Sequence, residues 1–200
     1  MVMRIRRLHR IIGIVLLLPF LGWAITGLIF FIKPGYEGAY EVLSPKTYSL
    51  DRAISISPDP SWLEFRYFRT ILGEHLIART NKGWLHLNPK DMQPKSVPAE
   101  DEIKLLLTDA FTANPQRYGE ISSISGDTAS TNTGVEISMD WNHLSLHQSG
   151  KDTDRINLLY RIHYLQWTGA KRIDRVVGLI GIVLVIALTI LGARLAIKGS

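Results

Sequence analysis

The chain predicts a membrane protein of the α+β class, with two transmembrane helices flanking a small extramembrane domain built on an antiparallel sheet and one helix. Two observations predict the helices. Ile11 to Ile32 and Val176 to Ala193 are apolar runs without an internal charge, and crossing a bilayer takes about 20 such residues. A third observation predicts the sheet. The stretch between the runs is polar and mixed, with short alternating segments separated by turn residues. At 200 residues the chain holds one small domain between its anchors. It divides into a basic amino terminus (1–10), a first span (11–32), a domain (33–153), an amphipathic interfacial helix (154–170), a second span (176–197) and a carboxyl terminus (198–200).

The first run follows Arg4, Arg6, Arg7, His9 and Arg10. Positive flanks stay in the cytoplasm and the first helix usually decides orientation. Both termini are therefore expected in the cytoplasm and the domain outside. A secretory signal peptide has a shorter apolar core and a small-x-small cleavage site. This run instead meets Lys33, Pro34 and Gly35, which end a helix. The net charge of +5 is concentrated beside the spans, with Lys171, Arg172 and Arg175 forming the second cluster. Such clusters answer to membrane lipid headgroups, and nucleic acid is not an expected partner. There is no cysteine, so disulfides, thiolate metal sites, iron–sulfur clusters and covalent haem attachment are excluded.

Within the domain, aromatic residues between Tyr36 and Leu50 suit a membrane interface and a short strand, and Ser57 to Pro60 forms a loop. Leu63, Phe65 and Tyr67 alternate with Glu64 and Arg66, as in a half-buried strand. Gly73-Glu74 suggests a turn, and Asn81-Lys82-Gly83 a hairpin between His75–Thr80 and Trp84–Leu87. Glu100, Asp101 and Glu102 suit a helix amino terminus, and Ile103, Leu106, Leu107 and Ala110 continue it until Asn114-Pro115. Gly119 to Ser125 reads as a strand and Gly126 to Gly134 as a mobile loop. Val135–Asp140 and His143–Gln148 read as two strands, with Ser149 to Lys151 as a closing turn. In the interfacial helix Ile156, Leu159, Tyr160, His163 and Trp167 share one face, and Leu158, Ile162 and Leu165 the other. A helix apolar on two sides is pressed between layers, and Tyr160, Tyr164 and Trp167 suit the headgroup level.

His9 entering a span with Gly13, Trp23 and Thr26-Gly27-Leu28 resembles the start of the PepSY-associated transmembrane family. So does Leu159-Tyr160-Arg161-Ile162-His163-Tyr164, followed by Gly169, Arg175 and a Gly-studded span. The middle, with Gly83-Trp84-Leu85-His86-Leu87, a helix and strands closing on Gly150, resembles a PepSY-type domain. The resemblance implies a bacterial inner-membrane protein with a periplasmic domain. Larger members look like ferric-siderophore reductases carrying b-type haem ligated by histidine between transmembrane helices. By resemblance, His9 and His163 carry over as haem ligands. Arg10 and Arg172 or Arg175 are candidates to neutralise propionates, with lipid phosphate contact as the alternative. This chain has two spans where larger members have about four.

An ionisable group in or at a membrane is a candidate functional site, and imidazole is the common ligand of b-type haem. The plainer alternatives are a headgroup-level side chain for His9, and a buried histidine bonded to a backbone carbonyl for His163. The hydrocarbon core is about 30 Å thick, so two histidines on opposite sides cannot share one iron. A homodimer or a related membrane subunit would complete each site. Haem b is the expected cofactor, and a ferric siderophore or a periplasmic redox partner the expected acceptor. Flavin and nicotinamide have no fingerprint here. The alternative function is a membrane-anchored binding, assembly or structural subunit, with Gly13, Gly27, Gly178 and Gly181 lining helix contacts. His143 and His147 fall on one face of a predicted strand, but no zinc motif supports them. His75 and His86 read as ordinary sheet histidines. Trp62, Trp84 and Trp141 are expected in the core.

Overall fold

A computed structural model of the protein describes residues 2–51 and 53–198. The expected 198–200 terminus therefore lies outside the described residues except for the backbone of Lys198. The chain forms two compact units, one of residues 1–36 and 154–200 and one of residues 37–153. The class is α+β: two long apolar helices at the chain ends and a small antiparallel two-sheet domain between them in sequence.

In the helical unit, α1 spans Val2–Ile32 and α6 spans Lys171–Lys198. Both are long and apolar enough to cross a membrane. Each starts several residues earlier than its apolar run, because the flanking Arg and Lys residues are good helix formers. The more buried side chains of α1 are Ile5, His9, Ile12, Leu16, Pro19, Trp23, Thr26 and Phe30. They follow alternating steps of four and three residues, the spacing of a two-helix seam. Helix α6 carries its own stripe of less exposed residues, Asp174, Gly178, Gly181, Val185, Leu188, Gly192 and Leu195, and its carboxyl-terminal part meets α1. Leu188 faces Gly13, and Gly192 faces His9. Four residues back on one helix match four forward on the other, so the pair is antiparallel. The other sides bear exposed Ile14, Leu18, Leu179 and Ile190.

In the domain, β1 (Trp62–Thr70), β2 (Gly73–Thr80) and β3 (Gly83–Leu87) form one antiparallel sheet in that order. A second sheet has the order β4 (Ile121–Ser125), β5 (Thr128–Thr131), β6 (Glu136–Asp140), β7 (Ser145–Ser149). Between the sheets in sequence come α3 (Glu100–Phe111) and the single turn α4 (Pro115–Tyr118). Ile77 of β2, Leu106 and Leu107 of α3, and Ile137 and Met139 of β6 belong to one core. Arg117 of α4 fastens the edge of this core, donating to Asp152 Oδ2 at 2.7 Å and Gln148 Oε1 at 2.6 Å. Gln148 Nε2 in turn donates to the carbonyls of Gly38, Ala39 and Glu41.

Several expectations are corrected. The expected mobile loop 126–134 contains β5, whose Ala129 and Thr131 point into buried positions. A run of small residues hides a strand because it carries little apolar pattern. Residues 36–50 hold the short helix α2 (Tyr36–Ala39) and one isolated bridge, Tyr48 to Arg69, in place of a strand. Gly73 and Glu74 begin β2, the turn being made by Ile71 and Leu72. Lys151 begins helix α5 (Lys151–His163), so the expected 154–170 helix starts earlier and ends seven residues sooner. His143 stands in the turn between β6 and β7, not on a strand beside His147. Of the tryptophans only Trp141 is buried; Trp84 and Trp62 are half-buried.

The shared core gives a direct expectation. Leu106 is fully buried in α3. Leu106→Ala should lower unfolding stability by about 2–5 kcal/mol, read by denaturant unfolding of the purified full chain followed by tryptophan fluorescence. A loss under about 1 kcal/mol would show that α3 does not hold the domain together.

Candidate functional site

The last turn of α5 packs on α1 inside the helical unit. Tyr160 stacks on Phe30 with ring centroids 4.6 Å apart. Ile162 lies against Gly22, and His163 reaches Thr26. Numbers rise along α5 as they fall along α1, so these helices also run antiparallel. The chain then breaks away at Leu165, which takes a left-handed φ of 56° and is 6% exposed. A leucine in that conformation is strained. Its side chain is seated against Gly181 of α6, and that contact offsets the strain. Gly169, also left-handed, completes the turn before α6.

His163 is held from two directions. Its carbonyl, one of the orphan acceptors of a helix end, accepts a bond from Trp23 Nε1 at 2.7 Å. Its ring Nδ1 is 2.8 Å from Thr26 Oγ1, and Thr26 Oγ1 is 2.6 Å from the Gly22 carbonyl. A hydroxyl has one proton. With that proton given to Gly22, Thr26 accepts from His163 Nδ1–H. Nε2 then carries the lone pair, and it makes no hydrogen bond among the described residues. Phe30 and Tyr164 meet the ring edge-on, at centroid distances of 5.2 and 5.5 Å. Anchoring one ring nitrogen in this way leaves the other fixed and ready to bind a metal. Thr26 stands about 9 Å of helix rise before the end of α1, so His163 lies alongside the apolar run of α1.

His9 is placed differently. Its ring is turned into the α1–α6 seam, with Cε1 3.3 Å from where a Cβ on Gly192 would stand. Its Nδ1 is buried without a hydrogen-bond partner, which costs about 1–3 kcal/mol. About 26 Å of helix rise separates His9 from Thr26, so the two histidines form separate sites in one chain. Gly13, expected to line a helix contact, packs against Leu188 of α6. Arg10, Arg172 and Arg175 are exposed, and none makes an ion pair among the described residues. They remain open to phosphate or propionate. No group of three or more His, Cys, Asp or Glu able to hold a metal occurs among the described residues.

A haem site needs an imidazole nitrogen with a free lone pair, a fixed ring plane and apolar or aromatic surroundings. His163 meets these conditions through Thr26, Phe30, Tyr160 and Tyr164. His9 fits less well, since its Nδ1 is closed in by Gly192.

The domain holds a second arrangement that sequence reasoning missed. His75 and His86 lie on neighbouring strands, both facing Trp141. His86 Nδ1 donates to the Trp141 carbonyl at 2.7 Å, since a carbonyl only accepts. His86 Nε2 therefore accepts from His75 Nδ1 at 2.9 Å, and His75 Nε2 accepts from the Thr70 hydroxyl at 2.8 Å. With both rings neutral, every ring nitrogen is satisfied. Lys95 reinforces this, its Nζ standing 3.3 Å from His75 Nδ1. Burial, then the Lys95 charge, then His86 push the His75 pKa down to about 3. Burial pushes His86 down to about 4, against the Trp141 carbonyl, which favours the proton. The signal was available in the alternation of β2 and β3: His75, Ile77 and His86 share the inward face.

No family model matches the chain, and neither a curated protein nor a solved structure matches it.

The histidine pair makes stability depend on pH. The unfolded chain takes up protons near pH 6.5 while the folded domain does not, so the unfolded state gains as pH falls. The contribution is complete above about pH 6.5 and is lost toward pH 4 and then 3. Near pH 5 the slope from these two rings reaches about 2.7 kcal/mol per pH unit. His86→Gln should flatten it, whereas exposed-turn His143→Gln should not. Equal slopes in all three proteins, measured by denaturant unfolding across pH 4.5–7.5, would refute the neutral pair.

Proposed function

We propose that the chain is an inner-membrane protein anchored by α1 and α6, with the domain on the periplasmic side, that binds b-type haem through His163 and passes electrons to a periplasmic acceptor such as a ferric chelate. This reading keeps the resemblance to the PepSY-associated transmembrane family. The observation that carries it is the hydrogen-bond chain His163–Thr26–Gly22, which leaves Nε2 free beside an apolar helix surface. Membrane placement is supported by the exposed apolar sides of α1 and α6, which would be costly in water. The exposed Arg4, Arg6, Arg7 and Arg10 support a cytoplasmic amino terminus.

Bound haem supplies one-electron transfer. The residues of the chain would do the rest: Thr26 would orient the imidazole, Trp23 would pin the α5 end, and Phe30 and Tyr160 would shield the ring. A further ligand would come from a second copy or a related membrane subunit, and Gly27, with nothing within 4 Å of a Cβ position, offers a face for such a helix. His9 is the candidate for a second site toward the cytoplasm. A second reading, a non-enzymatic assembly or structural subunit, is favoured by that same open Gly27 face.

The full chain, expressed with supplied haem and purified in detergent, should show a Soret band. His163→Ala should abolish it or convert it to a different ligation state. Thr26→Val should keep haem but shift the band or the midpoint potential, because the ring loses its orienting partner. A purified wild-type chain without a Soret band would overturn the haem reading in favour of the structural one.

A further inference from the structure

Beside α6, at the turn that follows α5, the helical unit has a cavity of about 880 Å³. Its two ends differ in chemistry. Arg161, Lys171 and Arg175 line one end, and Leu179 and Ile182 line the other, with Gly178 between them. None of the three cations makes an ion pair among the described residues. The one carboxylate in the lining, Asp174, is held by the backbone N–H and hydroxyl of Thr168 at Oδ1 and interacts with Arg161, so three cations face one anion. The cationic end also lies at the amino-terminal turn of α6, where the helix dipole favours an anion. Arg175 to Ile182 spans about 10 Å of helix rise. A headgroup layer is about 5–7 Å thick above the hydrocarbon. A molecule lying along this cavity therefore meets positive charge at headgroup level and apolar side chains at acyl-chain level.

We infer that this cavity is a binding site for an anionic phospholipid, with its phosphate between Arg161 and Arg175 and an acyl chain against Leu179 and Ile182. The inference rests on the membrane placement of α6 and is independent of haem. Charge complementarity selects the occupant: a zwitterionic lipid would bring its own cation to a site whose three cations already outnumber its one carboxylate. The volume falls in the range of ligand sites, about 300–1,000 Å³. An apolar floor under the charges favours a lipid over a free anion, since inorganic phosphate would use only half of the site.

The full-length chain in detergent is mixed with phosphatidylglycerol or phosphatidylcholine, and retained lipid is counted by native mass spectrometry. Phosphatidylglycerol should be retained and phosphatidylcholine not. The Arg161→Gln, Arg175→Gln double variant should weaken retention about 25-fold, about fivefold for each cation near an anionic headgroup. Gly178→Leu approaches the same cavity without touching a charge. A Cβ there meets nothing within 4 Å, so the leucine extends into the apolar part and should also weaken retention, with circular dichroism checking that the variant keeps the wild-type helix content. Equal retention of both lipids, or retention unchanged in both variants, overturns the assignment. Displacement of phosphatidylglycerol by millimolar inorganic phosphate also overturns it, in favour of a free-anion site. Extraction of membranes with alkaline carbonate tests the premise separately: release of the protein would overturn the membrane placement itself.

Discussion

The helical unit depends on one line of side chains along α1. Steps of four and three residues place His9, Ile12, Leu16, Trp23, Thr26 and Phe30 on one seam, and both other helices of the unit are docked on it. The lower part meets α6, where Gly192 makes room for an imidazole. The upper part meets the end of α5, which needs Gly22 for Ile162 and Thr26 for His163. Where these helices meet, close packing and side-chain hydrogen bonds hold them. The glycines, the Trp23 donor and the Thr26 acceptor supply those terms.

The histidines of this chain show how one residue type is given different work by its partners. His75 and His86 spend every ring nitrogen on a neighbour, and the pair is locked neutral inside the domain. His163 spends only one, on a hydroxyl that is itself committed to a backbone carbonyl. His143 lies in an exposed turn, bonded to Asp140 and edge-on to Trp84. A saturated histidine stabilises a fold, and an unsaturated one with a fixed ring can bind a ligand. The count of committed nitrogens separates the two cases.

Much of this was legible in the sequence. The apolar runs, the hairpin at Asn81-Lys82-Gly83 and the helix beginning at Glu100 follow from local chemistry, and the structure has each near its expected place. The second sheet was less legible, because Thr128 to Thr131 has short polar side chains and its strand character comes from pairing with β4 and β6. The histidine pair was illegible as a pair, since the contact joins two strands and a tryptophan 55 residues from His86. His163 was legible as a candidate. Its depth beside Thr26 was not, because that depends on where α5 ends, and a leucine with a left-handed backbone is a stop that no propensity announces.

The same seam has a consequence in time. Synthesis runs from the amino terminus at about 5–20 residues per second, so α1 leaves the ribosome roughly ten seconds before the end of α5 exists to cover it. During that interval Thr26 is not stranded, because its hydroxyl bonds back to Gly22 within the same helix. Trp23 has no such internal partner, and its indole N–H waits for the His163 carbonyl. An early helix with one such waiting donor closes its own threonine yet still gains a bond when α5 arrives. The order of synthesis thus matches the order of these hydrogen bonds: Thr26 is satisfied within the first helix, and Trp23 only once α5 has followed.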